Sequence, residues 1–186
     1  MSIKRKRFIL IILLFLVIVV FNIKTILRFV FPLKYENFIL EYSSQYKVDP
    51  YLVAAVINTE SKYDEKALSS KGAYGLMQIM PDTAQWISSY VELNPFNLDL
   101  LYNPEINIKM GCWYLDNLNK EFKGETDLVL AAYNAGRGNV NKWLINEEYS
   151  KDGKSLYKVP FKETEEYIKK VKFSYKIYKI LYEFET

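Results

Sequence analysis

Glu60 is the residue of this chain best placed for proton transfer. It closes a stretch that opens with Asp49-Pro50, an N-cap residue followed by a first-turn proline, so residues 50–61 are predicted to be helical. On that helix Val53, Val56, Ile57 and Glu60 fall at i, i+3, i+4 and i+7, which is one face. A carboxyl group on an apolar face has its ionised form disfavoured, and its pKa rises until it can hold a proton near neutral pH. A general acid needs that property. Read alone, a glutamate at a helix end is more often simply solvated.

The rest of the composition narrows the chemistry. The sequence has no His, which excludes Ser-His-Asp and Cys-His nucleophile systems and HExxH zinc sites. Its single Cys112 excludes a thiolate metal site and an internal disulfide framework. Proton chemistry near neutral pH is left to a shifted carboxylic acid, a lysine or a tyrosine.

Downstream of Glu60-Ser61 come GLMQ at 75–78, AAYNAG at 131–136 and VPFKETEEYI at 159–168. In order and spacing these pieces resemble the catalytic domain of the lytic transglycosylases, which cleave peptidoglycan, over roughly residues 36–175. The resemblance implies a mainly α, lysozyme-like α+β fold: a helical bundle around a sugar-binding cleft, with little sheet. It implies that Glu60 is the catalytic acid. Gln78 lies eighteen residues after Glu60, as in the soluble enzymes of the family. Ser69 matches the family serine that hydrogen-bonds near the carboxylate and the substrate N-acetyl group. Gln78, Met80, Tyr133 and Asn134 match positions lining the cleft. Tyr167 corresponds to a tyrosine whose hydroxyl points at the acid, where it is expected to position the carboxyl group and favour its protonated form.

The mechanism so implied needs one carboxylate and no cofactor. Glu60 protonates the bond between N-acetylmuramic acid and N-acetylglucosamine, the muramic acetamido oxygen stabilises the cation at C1, and Glu60 then takes the proton of the C6 hydroxyl as a 1,6-anhydro ring closes. Asp64 and Asp82 are acidic neighbours in sequence, but neither sits where the family has a partner. Two rivals use the same site: a hydrolytic muramidase, with water in place of the C6 hydroxyl, and a catalytically idle peptidoglycan-binding component of a cell-envelope machine.

These residues need elements to hold them. Asn103-Pro104-Glu105 repeats the start signal for a helix to about Lys120, Thr126 can cap a short helix ending at Gly136, and a long helix is predicted from about Thr164 to Tyr182. Tyr167, Val171, Tyr175, Tyr178 and Tyr182 form a stripe on it; Tyr175, Tyr178 and Tyr182 are expected in the core. Lys169, Lys170, Lys172, Lys176 and Lys179 are expected on its solvated face. Residues 62–80, with two glycines, read as loop with a small hairpin. Gly136-Arg137-Gly138 is no phosphate loop, because no strand precedes it.

The N-terminal residues follow another logic. Lys4-Arg5-Lys6-Arg7 precedes an unbroken apolar run from Phe8 to Phe21, the layout of a signal anchor. Fourteen residues of helix reach about 21 Å, short of a hydrocarbon core of about 30 Å, unless the span continues through Ile26 to Phe31. With no small-residue cleavage site after the run, a retained single-pass anchor is expected, its basic end cytoplasmic and the domain outside. The expected division is a basic stub, anchor and linker over 1–34 and a catalytic domain over 35–186. Residues 1–35 hold seven basic and no acidic side chains, whereas residues 36–186 set 18 Lys and Arg against 22 Asp and Glu. That acidic balance argues against nucleic-acid binding. The partners expected are glycan strands and, through the anchor, the membrane.

Overall fold

The computed structural model describes residues 3–184, so the ends of both expected segments (Met1, Ser2, Glu185 and Thr186) lie outside the described residues. The chain falls into two compact units, up to Leu33 and from Lys34 onward.

The first unit is helix α1, Ile3–Val30. Its apolar stretch runs over Ile9–Val30, 22 residues, longer than the run ending at Phe21. Asn22 does not interrupt it, because its Nδ2 donates to the Ile18 carbonyl at 2.8 Å and so spends its polarity on the helix itself.

The second unit is helical, and among its described residues the only β pairing is two isolated bridges. Helices α2 (Glu36–Tyr46), α3 (Pro50–Glu60), α4 (Pro81–Ser88) and α5 (Pro104–Glu121) are followed by α6 (Thr126–Ala135), α7 (Arg137–Leu144) and α8 (Lys162–Leu181). A 3₁₀ turn over Leu98–Tyr102 leads into α5. Helix α3 is the central rod: every residue from Val53 to Asn58 is buried, so its apolar surface is far wider than the one face read from the sequence. It packs on α8 and α2, while α6 packs against α5, α7 and α8.

The predicted caps form in two of four cases. Asp49 accepts from the Tyr51 amide at 2.8 Å, and Asn103 accepts from the Glu105 and Ile106 amides at 2.9 and 3.2 Å. Thr126, by contrast, is the first residue of α6 and makes no cap; Glu125 precedes it without a side-chain cap. Helix α8 starts at Lys162, before Thr164, whose hydroxyl donates to Asn134 Oδ1 at 2.8 Å. The tyrosine stripe is core only in part. Tyr178 is fully buried, Tyr182 is half-buried, and half-buried Tyr175 donates to Asp49 Oδ2 at 2.7 Å. Lys169, Lys170, Lys172, Lys176 and Lys179 of α8 are all exposed, as expected.

Candidate active site

Glu60 is the last residue of α3, half-buried where the rod meets the loop over 61–80. Burial pushes its carboxyl group up from 4.5 to about 7, and the negative charge of Glu163 adds in the same direction. The carbonyl end of α3, which disfavours an anion, acts likewise. Tyr167 opposes them. Its hydroxyl is wholly buried, with no partner at regular hydrogen-bond geometry among the described residues, yet it lies near enough to Glu60 to lower that pKa. This corrects the sequence reading. A phenol facing an acid acts here as a donor, and a donor favours the carboxylate. What keeps Glu60 protonated near neutral pH is desolvation. The tyrosine is its counterweight.

Two phenols close in on the acid. Burial pushes both Tyr133 and Tyr167 well above the ordinary tyrosine range, and the nearness of Glu60 adds to each. Tyr133 comes from the C-terminal turn of α6 and donates to the Met77 carbonyl at 2.8 Å, tying AAYNAG to GLMQ. Asn134 is fixed to α8 through Thr164. Gly136 ends α6 with φ 87°, a conformation that L side chains rarely adopt.

The loop after α3 is held mainly by one buried residue of α5. Asn107 Oδ1 accepts from the Met77 amide at 2.8 Å, and its Nδ2 donates to the Tyr74 and Leu101 carbonyls at 3.0 and 2.8 Å. Tyr74 and Ile79 exchange backbone hydrogen bonds, the remnant of the expected hairpin. Gly75 could not be another residue: its φ is 71°, and a Cβ there would stand 2.3 Å from the Leu101 carbonyl oxygen. The loop thereby turns Gln78 toward the groove, at φ 50°, with its Nε2 donating to the Gly75 carbonyl at 2.8 Å.

Beside the acid runs a groove of about 390 Å³. Gln78, Met80, Tyr133 and Asn134 line it together, as the sequence predicts. Glu60, Ser69 and Tyr167 are not among its lining residues. Ser69 Oγ is engaged by the Ala73 amide at 2.9 Å, which shapes the loop. Asp64 caps its own turn through the Lys66 amide, away from the groove. Residues that went unassigned in the sequence complete the wall: Thr83, Tyr114, Phe161, Thr164, Glu163 and Lys71, the last two joined by an exposed ion pair of 3.0 Å. Glu163 was legible, since it sits in FKET four residues before Tyr167, one helical turn away. Among the described residues no group of His, Cys, Asp and Glu could hold a metal ion.

A helical domain with one desolvated acid beside an open groove is of the lysozyme-like class. Its backbone superposes on the 70 kDa soluble lytic transglycosylase of Escherichia coli with a TM-score of 0.73 at 32% identity, over 83% of this chain and 25% of that one. It matches lytic transglycosylase Slt of Pseudomonas aeruginosa with a TM-score of 0.70 at 29% identity, over 81% of this chain and 25% of that one. Residues 37–156 match the family model of the transglycosylase SLT domain, and the chain belongs to that family. In sequence it is 35% identical over 143 residues to the soluble lytic murein transglycosylase of Escherichia coli K12, covering 76% of this chain and 22% of that relative. The Salmonella typhimurium enzyme of that name is 34% identical over the same length and shares. The chain thus spans about a quarter of the length of these relatives.

Proposed function

We propose that the chain is a peptidoglycan lytic transglycosylase held at the cell membrane by its N-terminal helix. In this reading Glu60 is the only acid/base. It protonates the β-1,4 glycosidic oxygen between N-acetylmuramic acid and N-acetylglucosamine, and the acetamido oxygen of the muramic residue shields C1 as the bond breaks. The Glu60 carboxylate then removes the C6 hydroxyl proton, and O6 closes on C1 to give a 1,6-anhydro end. The proton lost to the leaving oxygen is regained from O6, so no water is consumed. Tyr167 holds the carboxyl group, while Gln78, Met80, Tyr133, Asn134 and the loop shaped by Ser69 receive the sugars.

One observation carries this reading: a buried carboxyl group, its pKa pushed up to about 7, beside Tyr133 and Tyr167, the tyrosines that the family motifs specify. Glu163 is nearby, but it is exposed and ion-paired to Lys71, which favours a fixed negative charge over a proton donor. For the anchor, the support is length and polarity. The 22-residue stretch Ile9–Val30 of α1, predominantly apolar, reaches about 33 Å, enough for a hydrocarbon core of about 30 Å. Arg5 and Arg7, with their two neighbouring lysines, support a cytoplasmic position for the preceding end. The assignment is therefore stub, anchor and linker over 1–34 and an extracytoplasmic catalytic domain over 35–186.

The test is digestion of purified sacculi by wild type and Glu60→Gln, with the products weighed. Anhydro ends, lighter by one water than reducing ends, are expected from wild type alone. Reducing ends only would replace this reading with the hydrolytic one, and equal digestion by the variant would remove Glu60 from the chemistry.

A further inference from the structure

A second groove, of about 410 Å³, continues the first along α4 and the start of α7. Thr83, Tyr114 and Gly136 line both, and the second adds Asp82, Trp86 and Arg137. Trp86 is 37% exposed and Tyr90, one turn on, is 58% exposed. Tyr90 lies flat on Trp113 (centroids 4.9 Å apart, planes at 28°), so one ring face is packed while the side chain as a whole stays exposed. Trp86 makes T-shaped contacts with Trp113 and Tyr90, at 5.0 and 5.7 Å. This cluster leaves large apolar rings in solvent where a surface helix would ordinarily carry polar side chains.

Arg137 sets the chemistry of this ledge. Its guanidinium sits 5.0 Å from the Trp86 ring and 5.9 Å from that of Tyr114. It also pairs with Glu121 at 3.3 Å and donates to Asn117. Its charge is already balanced, so it braces the aromatic rings and offers no free cation to an anionic ligand. Asp82, exposed at the opposite edge, would repel one. Exposed aromatic rings bordered by a carboxylate, a hydroxyl and a braced guanidinium suit a ligand that is apolar on its faces and rich in hydroxyl and amide groups at its rim. A neutral N-acetylated sugar ring has that character.

We propose that Trp86 and Tyr90, braced by Arg137, form a distal sugar platform that extends the groove and makes the protein select longer glycan strands. The inference rests on the function proposed above for its setting, and its first test does not require catalysis. The full chain in detergent, carrying Glu60→Gln, is titrated with N-acetylglucosamine oligomers while tryptophan fluorescence is followed. Long oligomers should shift the emission and bind more tightly than short ones. Trp86→Phe, which keeps an aromatic ring in the packing, should remove most of the spectral change, and Trp86→Ala should weaken long-oligomer binding about tenfold. Thermal melts of each variant separate lost binding from lost folding. An unchanged preference for length in Trp86→Ala, or emission that responds to a free acidic stem peptide and not to the oligomers, would overturn the proposal.

The second test is the ratio of kcat/KM for long over short uncross-linked strands, which should fall about tenfold in Trp86→Ala. If wild type cleaves strands and this ratio does not move, the platform is wrong and the reaction stands. If wild type cleaves nothing while the fluorescence arm succeeds, the reaction is wrong and the platform stands.

Discussion

Replacing Glu60 by Gln should stabilise this protein above neutral pH while abolishing its activity, and the stabilisation should disappear in acid. The folded-state pKa is raised, so the proton is held more tightly in the native state than in the unfolded chain. The group is therefore neutral and harmless below about pH 4.5, and its cost grows as pH rises through the interval to about 7. At about 1.4 kcal/mol per pH unit, that interval amounts to about 3 kcal/mol of native stability lost by wild type. Gln carries no charge and escapes the loss. The Tm difference between variant and wild type should thus widen by roughly 6–12 °C from about pH 4.5 to above pH 7, at roughly 2–4 °C per kcal/mol for a domain of this size. Calorimetry of the full chain in detergent across that range reads it directly. A difference that stays constant with pH would mean Glu60 is solvated in the folded protein, and the argument for a desolvated acid would fail with it.

Further outcomes follow from the same geometry. Tyr167→Phe removes a donor that favours the carboxylate, so the alkaline limb of the pH–rate profile, near pH 7 in wild type, should move upward as kcat falls; a downward move would restore the original reading of the phenol. Glu163→Gln takes away a charge that raises the Glu60 pKa, and the same limb should move down. Asn107→Ala leaves the Met77 amide and two carbonyls without their partner, at a cost of about 3 kcal/mol or more in urea unfolding. Gly75→Ala forces a side chain onto the Leu101 carbonyl at positive φ and should yield little folded protein, measured by circular dichroism.

Much of this arrangement is legible in the sequence because local signals and tertiary needs agree. Asp49-Pro50 and Asn103-Pro104 carry their caps with them, and the motif residues reach one groove at Gln78, Met80, Tyr133 and Asn134. Where the signals are weak, tertiary packing decides. Helix α2 has no side-chain cap and follows Tyr35 in the left-handed region. Helix α7 begins Arg-Gly-Asn, a poor helical opening, and is held by buried Val140 and Trp143. Thr126 and Thr164 look alike as cap candidates; only the fold reveals that one starts a helix uncapped and the other reaches across to Asn134. The breadth of α3's buried surface was hidden for a related reason. Ala54, Ala55 and Asn58 fill positions that read as the outer side of an amphipathic helix, yet α2 and α8 cover them.

The corrected sign of Tyr167 bears on how one carboxyl group would serve the two opposite steps proposed for it. An acid whose burial went unopposed, its pKa far above neutral, would always hold its proton but give it up slowly to the glycosidic oxygen. A group held low by donors would fail at the first step for want of a proton. Burial raising the pKa and the phenol lowering it bring Glu60 to about 7, where its two forms are nearly equal in free energy at neutral pH. Each transfer then runs without a steep uphill step. The buried tyrosine is better understood as what stops desolvation from going too far than as what keeps the acid protonated, and the direction in which Tyr167→Phe moves the pH profile decides between the two.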